Sequence, residues 1–237
     1  MPSDAFTYEG DELDVFTYAQ VWKRYWFGQV QRFITGRFLE IGAGTGNNVP
    51  LWACSKASDI TLLEPDSGLA GKAEIMCAAL MNKIPFKVVC GKALELGTMD
   101  QFDSIALIDV LEHIPDDRLE VLHIMDCLKP GGYLIVLSPA YAWLYSDFDR
   151  RIGHLRRYTR KTLRQSMPPG LIEERLRYLD SVGLLTSLAN RMVLKQGLPK
   201  RNQILFWDRC LVPASAVLDR VLGYSIGRSV YGVWRRG

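Results

Sequence analysis

The sequence predicts an α/β fold built on an open, doubly wound parallel sheet. Three observations support this fold class. A short apolar strand ends in glycines at alternate positions, Gly42–Gly46, and residues 47–57 after them can form a helix. A second apolar segment, residues 60–64, ends in an acid, and residues 104–110 are apolar almost throughout, as in a parallel strand covered on both faces. A strand, a glycine turn and a helix form the nucleotide-binding corner of such a sheet.

The residues around the glycine turn indicate which nucleotide it binds. The dinucleotide fingerprint G-x-G-x-x-G requires its third glycine where this chain has Asn47. Glu40 stands two residues before the first glycine, where a carboxylate repels a pyrophosphate but attracts an ammonium group. Glu64 ends the second strand and is placed to accept both ribose hydroxyls. These features favour a cationic nucleoside, so a nicotinamide-dependent oxidoreductase is the weaker alternative.

At these residues the chain resembles the class I S-adenosylmethionine-dependent methyltransferases, whose motif E/D-x-G-x-G-x-G corresponds to residues 40–46. The resemblance covers roughly residues 37–138 and includes Asp-Val-Leu-Glu-His at residues 109–113 and Leu-Lys-Pro-Gly-Gly at residues 128–132. It implies an enzyme with a Rossmann-like sheet of seven strands, the last one antiparallel, and S-adenosyl-L-methionine as cofactor. The cofactor-binding residues that it implies are Glu40, Gly42, Ala43, Gly44, Gly46, Asn47, Glu64, Pro65, Lys92, Ala93, Asp109 and Leu111.

Lys92 departs from the family pattern, which usually has Gly-Asp-Ala here, with the Asp receiving the adenine amino group. A lysine ammonium cannot accept a hydrogen bond. The adenine is therefore expected to rely on backbone groups near Ala93, on another acceptor or on apolar packing.

The whole chain, residues 1–237, is predicted to form a single methyltransferase domain, since its length suits one α/β core with elaborations. An N-terminal helical cap, residues 1–36, precedes the cofactor-binding core, residues 37–179. A helical insert or lid, residues 180–227, precedes the final strand, residues 228–237.

Apolar periodicity and turn signals place the other elements. The remaining strands are predicted at residues 86–90, 133–137, 172–179 and 229–234. Helices are predicted over residues 66–82 and 116–128 and from Thr159 onward, because Asp66, Asp116 and Thr159 are good N-terminal caps. Residues 128–132 are predicted as the turn before strand five.

Two helical regions flank the predicted core. In residues 15–34, apolar and aromatic positions recur at helical spacing, which predicts a helix that covers the sheet edge. Closure of Tyr18, Trp22 or Tyr25 over the cofactor, as in enzymes that the chain resembles, is the alternative left open. The insert is apolar at residues 182–194 and 204–222 and is predicted to be a cap that lines the substrate pocket. A surface that contacts a membrane peripherally and a homodimer face are the alternatives left open.

A basic segment follows strand five. Residues 150–164 contain seven Lys or Arg and no acid, whereas the whole chain has a net charge of only +3. The Gly-His-x-Arg-Arg-Tyr sequence at residues 153–158 resembles a methyltransferase subgroup in which this segment faces the substrate. The substrate residues predicted here are Tyr141, Trp143, Asp147, Arg156, Arg157 and Tyr158.

His113 and His154 are the candidate catalytic bases, because histidine titrates near neutrality. Asp147 or Asp149 is placed to orient His154, and Glu112 is expected to cap backbone groups. The function expected is O-methylation of a hydroxyl or carboxylate on a small-molecule or lipid-like acceptor that carries an anionic group. An acceptor carboxylate would need no base and would be held by arginine. N- or C-methylation is the alternative.

Other classes are disfavoured. The small net charge, and the absence of N/D-P-P-Y/F after strand four, argue against a nucleic-acid partner. No carboxylate cluster is visible, so no metal is predicted. There is neither an apolar run long enough to span a membrane nor a signal peptide, and five cysteines without C-x-x-C spacing predict small buried residues in a reducing cytoplasm.

Overall fold

The computed structural model describes residue 8 and residues 12–79, 84–97, 101–189 and 200–237. Its strands are β1 (Thr35–Ile41), β2 (Lys56–Glu64), β3 (Phe86–Cys90), β4 (Phe102–Ile108), β5 (Leu128–Pro139), β6 (Leu171–Leu179) and β7 (Ser229–Arg236). They form one sheet in the order β3-β2-β1-β4-β5-β7-β6. β7 is antiparallel to β5 and β6, and the other pairs are parallel. The predicted seven-stranded Rossmann-like sheet with an antiparallel last strand is confirmed.

Helices cover both faces of this sheet. Those in the described part of the chain are α1 (Glu12–Phe16), α2 (Gln20–Val30), α3 (Val49–Trp52), α4 (Ser67–Ala78), α5 (Asp117–Asp126), α6 (Asp147–Arg151), α7 (Arg160–Gln165), α8 (Ser181–Ala189), α9 (Arg201–Phe206) and α10 (Val212–Val221), with a π-helical turn at Trp207–Leu211. The Asp66, Asp116 and Thr159 side chains accept the capping hydrogen bonds expected of them. In this part of the chain, no helix combines the length and apolar character needed to cross a membrane.

Alternation of side chains along the strands creates two hydrophobic cores. Phe38 and Leu62 point to one face and pack in a core with Trp52. Leu39 and Leu107 point to the other face and pack with residues of α5 and α7. Because strand order reverses between β1 and β4, the loops after these strands diverge and leave a crevice at the carboxyl edge.

The segment before β7 returns to the same edge of the sheet. Ser229, the first residue of β7, pairs with Pro139, the last residue of β5. Antiparallel pairing therefore places the start of β7 next to the end of β5, where ligands bind in sheets of this kind.

Two buried aspartates fix the insert to the N-terminal cap. Asp208 accepts from the backbone N–H groups of Val21 and Trp22 at 3.0 and 2.8 Å. Asp219 accepts from the Tyr25 hydroxyl at 2.7 Å. Hydrogen bonds to a charged acceptor contribute about 1.5–3 kcal/mol each. The described parts of cap and insert are therefore packed against each other rather than independently mobile.

Several predicted boundaries are wrong. The helix expected over residues 47–57 is only the single turn of α3, because β2 already begins at Lys56. Residues 128–132 belong to β5 rather than to a turn, and the pairing with β4 absorbs them through a register shift. Cys54, Cys90 and Cys210 are exposed, contrary to the expectation that the cysteines are buried.

Some predicted elements extend beyond what the structure describes. The end of the helix expected over residues 66–82 and the leader before residue 12, apart from Tyr8, lie outside the described residues. The same holds for residues 190–199, which include the end of the helix expected over residues 182–194.

Candidate active site

A cavity of about 1360 Å³ occupies the crevice at the carboxyl edge of the sheet. Its walls come from the glycine turn, the ends of β2, β3 and β4, the segment after β5, and helices of the cap and insert. Pockets for one small ligand typically measure roughly 300–1,000 Å³. The cavity therefore has room for a nucleoside and a second small molecule together.

The glycine turn forms the cofactor end of this cavity. Gly42, Gly44 and Gly46 all have positive φ, at 69°, 57° and 75°. A Cβ on Gly42 would lie 2.5 Å from Cγ2 of Val110, so only glycine fits there. Gly42, Ala43 and Gly44 line the cavity with Asn47.

Gly46 has a different role from the one predicted for it. It does not line the cavity, and a Cβ at this position would lie 3.1 Å from Cα of Ala73 in α4. Its missing side chain lets α4 pack against the turn.

Glu64 lines the cavity at the end of β2, as predicted. Its Oε2 accepts from the Gly44 N–H at 2.8 Å and its Oε1 from the Asp66 N–H at 3.0 Å. Burial raises the pKa of Glu64, and these two hydrogen bonds partly offset that effect. Each carboxylate oxygen has two lone pairs. One remains on each oxygen for a ligand hydroxyl, so this cradle fits the ribose diol of S-adenosylmethionine.

Glu40 does not face the cavity, which differs from the expectation that it meets the ligand's ammonium group. Its side chain is 1% exposed, and its two oxygens accept from Asn48 Nδ2 at 2.8 Å and Trp52 Nε1 at 2.6 Å. Burial raises the pKa of Glu40 to about 7, against the opposing effect of these hydrogen bonds. Glu40 therefore supports the loop from beneath.

The side of the cavity expected to hold adenine is apolar. Lys92 and Ala93 line it, and the Lys92 backbone N–H is occupied by Glu95 Oε2 at 3.1 Å. Leu94, which is 52% exposed, and Leu69 complete this wall. Apolar side chains are therefore available here to pack against adenine, and the choice among the three predicted options stays a prediction.

Pro65 and Asp109 also line the cavity, and Asp109 sits at the end of β4 with a φ of 54°. Leu111 does not, contrary to prediction, because its side chain is fully buried in the second core. Its backbone carbonyl accepts from the Tyr158 hydroxyl at 3.3 Å.

His154 lies on the cavity wall and is 8% exposed. Its Nδ1 is 2.9 Å from Oδ1 of the fully buried Asp149. Burial alone would raise the pKa of Asp149, but hydrogen bonds from His154, Arg157 and Ser146 lower it. An ionised carboxylate only accepts. Nδ1 of His154 therefore carries the proton, and Nε2 keeps a lone pair for accepting a proton.

Arg157 holds Asp149 in place. Its Nε and Nη2 donate to the two oxygens of Asp149 at 2.8 and 3.0 Å, and its Nη1 donates to the Ala140 carbonyl at 3.3 Å. Arg157 lines the cavity, but this fork is already occupied. It acts on the site through Asp149 rather than as the anion anchor that the sequence predicts.

His113 lies beside His154, with ring centroids 4.7 Å apart in an edge-to-face arrangement, and both line the cavity. Burial lowers the pKa of His113 to about 4, and the neighbouring His154 contributes to the shift. His113 is thus neutral at pH 7 and is a weak base. Of the two predicted histidines, His154 is better suited to accept a proton.

Glu112 is fully buried, and neither of its carboxylate oxygens has a hydrogen-bond partner in the described part of the chain. Burial, and then the charge of Asp109, raise its pKa well above the ordinary value. One ligand atom each from Glu112, His113 and His154 lies within 4.8 Å of the others. The fold thus assembles potential metal ligands that sequence spacing does not reveal. The expectation that no metal binds stays a prediction.

Four predicted substrate residues lie away from the cavity. Tyr141 stacks between Tyr178 and Trp143, with centroids 5.0 and 5.4 Å away, and Trp143 is 47% exposed. Asp147 pairs with Arg150 at the surface at 2.6 Å. The Tyr158 hydroxyl donates to Asp117 at 2.7 Å within the second core.

Arg156 also turns away from the cavity. Its Nη2 donates to the Pro115 carbonyl at 2.8 Å, and its Nη1 is 3.3 Å from Oδ1 of Asp117. Arg156 and Arg157 are sequence neighbours, yet their side chains contact different segments. The sequence alone does not tell which of them faces inward.

Sequence reasoning missed several residues that line the acceptor end. Arg228 and Ser229 line it from the start of β7. Phe16 of α1 contacts both Phe148 and Trp207, with ring centroids 6.5 and 6.4 Å away. Of the three cap aromatics predicted to close over the site, Trp22 lines the cavity; Tyr18 and Tyr25 do not. Helical spacing predicts a buried face but not what that face encloses.

Residues 18–179 match the family model described as a methyltransferase domain. A curated relative, the ubiquinone biosynthesis O-methyltransferase of Methylococcus capsulatus, is 27% identical over 107 residues, which are 45% of each chain. The match thus spans less than half of that relative's length.

Solved structures share the fold. Phosphoethanolamine N-methyltransferase 2 of Haemonchus contortus, in complex with S-adenosyl-L-methionine, superimposes with a TM-score of 0.61 at 15% identity, over 100% of this chain and 61% of that one. The N-methyltransferase NodS of Bradyrhizobium japonicum gives 0.55 at 16% identity, over 96% and 98%. At these identities the likeness concerns the fold alone.

Proposed function

The chain belongs to the methyltransferase domain family and is an S-adenosylmethionine-dependent enzyme, and from this premise we propose that it methylates an oxygen atom of a small-molecule or lipid-like acceptor. S-adenosylmethionine supplies an electrophilic methyl group when it is bound. The protein must bind the acceptor, orient it and accept its proton. The name of the curated relative, an O-methyltransferase, supports oxygen as the target.

The observation that carries this proposal is the pairing of His154 with Asp149 on the cavity wall. His154 Nε2 takes the proton of the acceptor hydroxyl, and Asp149 keeps the imidazole in the required tautomer and stabilises its cationic form. Arg157 and Ser146 hold Asp149, so the ring cannot rotate freely. A fixed base of this kind typically contributes about 10²–10⁴-fold to the rate.

The apolar wall at the acceptor end supports an acceptor with a hydrophobic part. Ile204, Trp207 and Leu211 of the insert and Phe148 after β5 line this part of the cavity. Phe206 also lines it while being 59% exposed, so the apolar wall continues to the surface. A hydrocarbon tail could pass there while the reacting oxygen stays near His154.

The proposal is tested with labelled S-adenosylmethionine and three acceptor pools: phenols, aryl carboxylic acids and primary amines. We expect label on phenolic oxygen, identified by mass spectrometry, and its loss in His154→Gln and Asp149→Asn with S-adenosylhomocysteine binding retained. Transfer to phenols at the wild-type rate in both variants would remove His154 as the base.

N-methylation is the second candidate, because two of the structural neighbours are named N-methyltransferases. A protonated amine must also lose a proton before its nitrogen can attack the methyl group, so His154 would serve the same purpose. Label that appears in the amine pool and not in the phenol pool would favour this alternative.

A further inference from the structure

We propose that Arg228 anchors a carboxylate of the acceptor at the end of the cavity opposite the glycine turn. This inference deepens the proposed function, on which it rests, by naming the chemical class of the acceptor. It also replaces Arg156 and Arg157 as the predicted anion contacts.

The backbone on both sides of Arg228 is fixed. Its N–H donates to the Asp180 carbonyl at 3.1 Å, and its own carbonyl accepts from the Ala140 N–H at 2.8 Å. These bonds tie Arg228 to the ends of β5 and β6, at the carboxyl edge of the sheet. The residue and its neighbour Ser229 both line the cavity.

The guanidinium is held in one orientation. Its Nε lies 3.3 Å from Oδ2 of Asp180, and its Cζ lies 4.3 Å from the centroid of the Trp207 ring. Asp180 is fully buried and also accepts from Trp207 Nε1 and the Ser215 hydroxyl. Asp180 therefore fixes the Nε side of the fork, and Trp207 fixes its plane.

The terminal edge of the fork is available. In the described part of the chain, the terminal nitrogens of Arg228 take part in no hydrogen bond, and the side chain is 25% exposed. Two parallel N–H groups on one edge match the two oxygens of a carboxylate. Arginine keeps its charge under these conditions.

The other arginines near this end are less suitable. The Arg157 fork is filled by Asp149 and Ala140, Arg156 points to Asp117, and Arg150 pairs with Asp147. Arg151 lines the cavity but is exposed on α6, where water competes with any ligand. Arg228 thus offers the donor edge that is both partly buried and unoccupied.

The charge balance favours a single negative charge on the ligand. Burial lowers the pKa of Arg228, and the nearby Arg157 adds to this effect. An anion between the two arginines relieves that repulsion. However, Asp180 and Asp149 already neutralise much of the positive charge, so a monoanion fits better than a phosphate dianion.

The Trp207 ring of the apolar wall lies against this anchor, which favours a carboxylate on an aryl or other apolar group. The test uses 4-hydroxybenzoate and its neutral counterpart 4-hydroxybenzamide, titrated by NMR into the full chain saturated with S-adenosylhomocysteine. We expect the acid to bind at least tenfold more tightly than the amide. In Arg228→Gln, acid binding should weaken at least tenfold while amide binding is unchanged.

Two further variants make the test decisive. Arg228→Lys keeps a cation beside buried Asp180 but lacks the fork, so it should fold and still lose most of the preference for the acid. Arg209→Gln removes an exposed arginine of the insert that does not line the cavity and should bind both compounds like the wild type. The thermal midpoint of each variant checks that it is folded.

The outcomes separate this inference from the proposed function. Equal binding of acid and amide by the wild type, no binding of the acid at millimolar concentration, or unchanged acid binding in a folded Arg228→Lys would each overturn the anchor. If the acid and amide bind equally while phenols are still methylated in a His154-dependent way, the proposed function stands without it. If acid selectivity depends on Arg228 but no oxygen is methylated, the carboxylate anchor stands and the proposed function fails.

Discussion

The two ends of the cavity each rest on a buried acid, and the two acids behave in opposite ways. Glu40, beneath the glycine turn, is 1% exposed, accepts from the neutral donors of Asn48 and Trp52, and has a raised pKa. Asp149, at the acceptor end, is fully buried, accepts from Arg157 and His154, and has a lowered pKa.

This difference shows that burial alone does not set the charge of an acid. Burial raises the pKa in both cases, but at Asp149 the hydrogen bonds from His154 and Arg157 outweigh it. Beneath the glycine turn there is therefore an acid whose pKa is raised to about 7. At the other end of the cavity, the lowered pKa of Asp149 keeps its carboxylate ionised beside His154.

The largest expected effect tests whether the acceptor end carries the chemistry. His154→Ala should lower turnover by about 10²–10⁴-fold, because the base is lost. Affinity for S-adenosylhomocysteine, measured by calorimetry, should not change, because the described side-chain contacts of His154 are with Asp149, Glu112 and His113 rather than with the glycine turn. Trp143→Ala, at an exposed residue outside the cavity, is the matched control and should be as active as the wild type. A parallel loss of cofactor affinity in the histidine variant would contradict the division between the two ends.

The opposite shifts of the two acids predict opposite effects of pH on stability. The pKa of Glu40 rises on folding from 4.5 to about 7, so its protonation favours the folded state. That contribution is complete below pH 4.5 and is lost as the pH rises through about 7. Since one pKa unit corresponds to about 1.4 kcal/mol, it amounts to about 3 kcal/mol. The effect of Asp149 is the reverse. Its ionised form stabilises the folded state, and this contribution is lost as the pH falls below the ordinary range of an aspartate pKa.

Denaturant unfolding between pH 4 and pH 8 measures this contrast. Glu40→Gln keeps the shape of the side chain and cannot ionise, so it should flatten the fall in the free energy of unfolding between pH 4.5 and 7. A variant whose pH profile parallels that of the wild type would mean that Glu40 does not titrate as described. Asp149→Asn should not change how the free energy of unfolding varies between pH 4.5 and 7.

A smaller effect tests the ribose assignment at the cofactor end. Glu64→Ala should weaken S-adenosylmethionine binding by about 1.5–3 kcal/mol, the range for hydrogen bonds to a charged group. Calorimetry should also show no binding of NAD. Glu64→Gln keeps one acceptor oxygen, so its affinity for S-adenosylmethionine should lie between those of the wild type and Glu64→Ala. Equal affinity in all three proteins would show that the diol is held elsewhere.

The smallest effect is expected from metal removal. Activity should survive prolonged EDTA treatment, because burial disfavours the ionised form of the Glu112 carboxyl that a metal ion would need as a ligand. Adding back magnesium or zinc should change nothing. A loss of activity that either metal restores would show that Glu112, His113 and His154 bind a cation, and it would change the role of His154 from base to ligand.

The sequence predicted the cofactor end well because that end is local. Alternating glycines force a turn with positive φ, and an acid at the end of the next parallel strand must arrive at the same edge. These two facts led to the positions of Gly42, Gly44 and Glu64 on the cavity wall, and the resemblance to class I methyltransferases implied the seven-stranded sheet. Glu40 was misplaced because its partners, Asn48 and Trp52, follow the turn and draw its side chain beneath it.

The acceptor end could be predicted only in part. The basic segment identified His154 and Asp149 as neighbours, since they are five residues apart. It could not tell Arg157, which lines the cavity, from Arg156, because the contacts that orient them, to Asp149 and to Pro115, form only in the folded chain. From the sequence, Glu112 looks like an ordinary polar residue of a turn, because the segments that bury its side chain are distant in sequence.

By itself, the sequence determined the glycine turn, the acid at the end of the second strand and the segment that carries His154. Only the tertiary structure decided which cation is available to an acceptor. Arg228 lines the same cavity as His154 because β7 is inserted antiparallel between β5 and β6, which brings a residue 74 positions away to the same edge. Its fork is available because Asp180 and Trp207, from the insert, hold only its Nε side and its face. Such pairings follow from the packing of distant segments, and no local pattern encodes them.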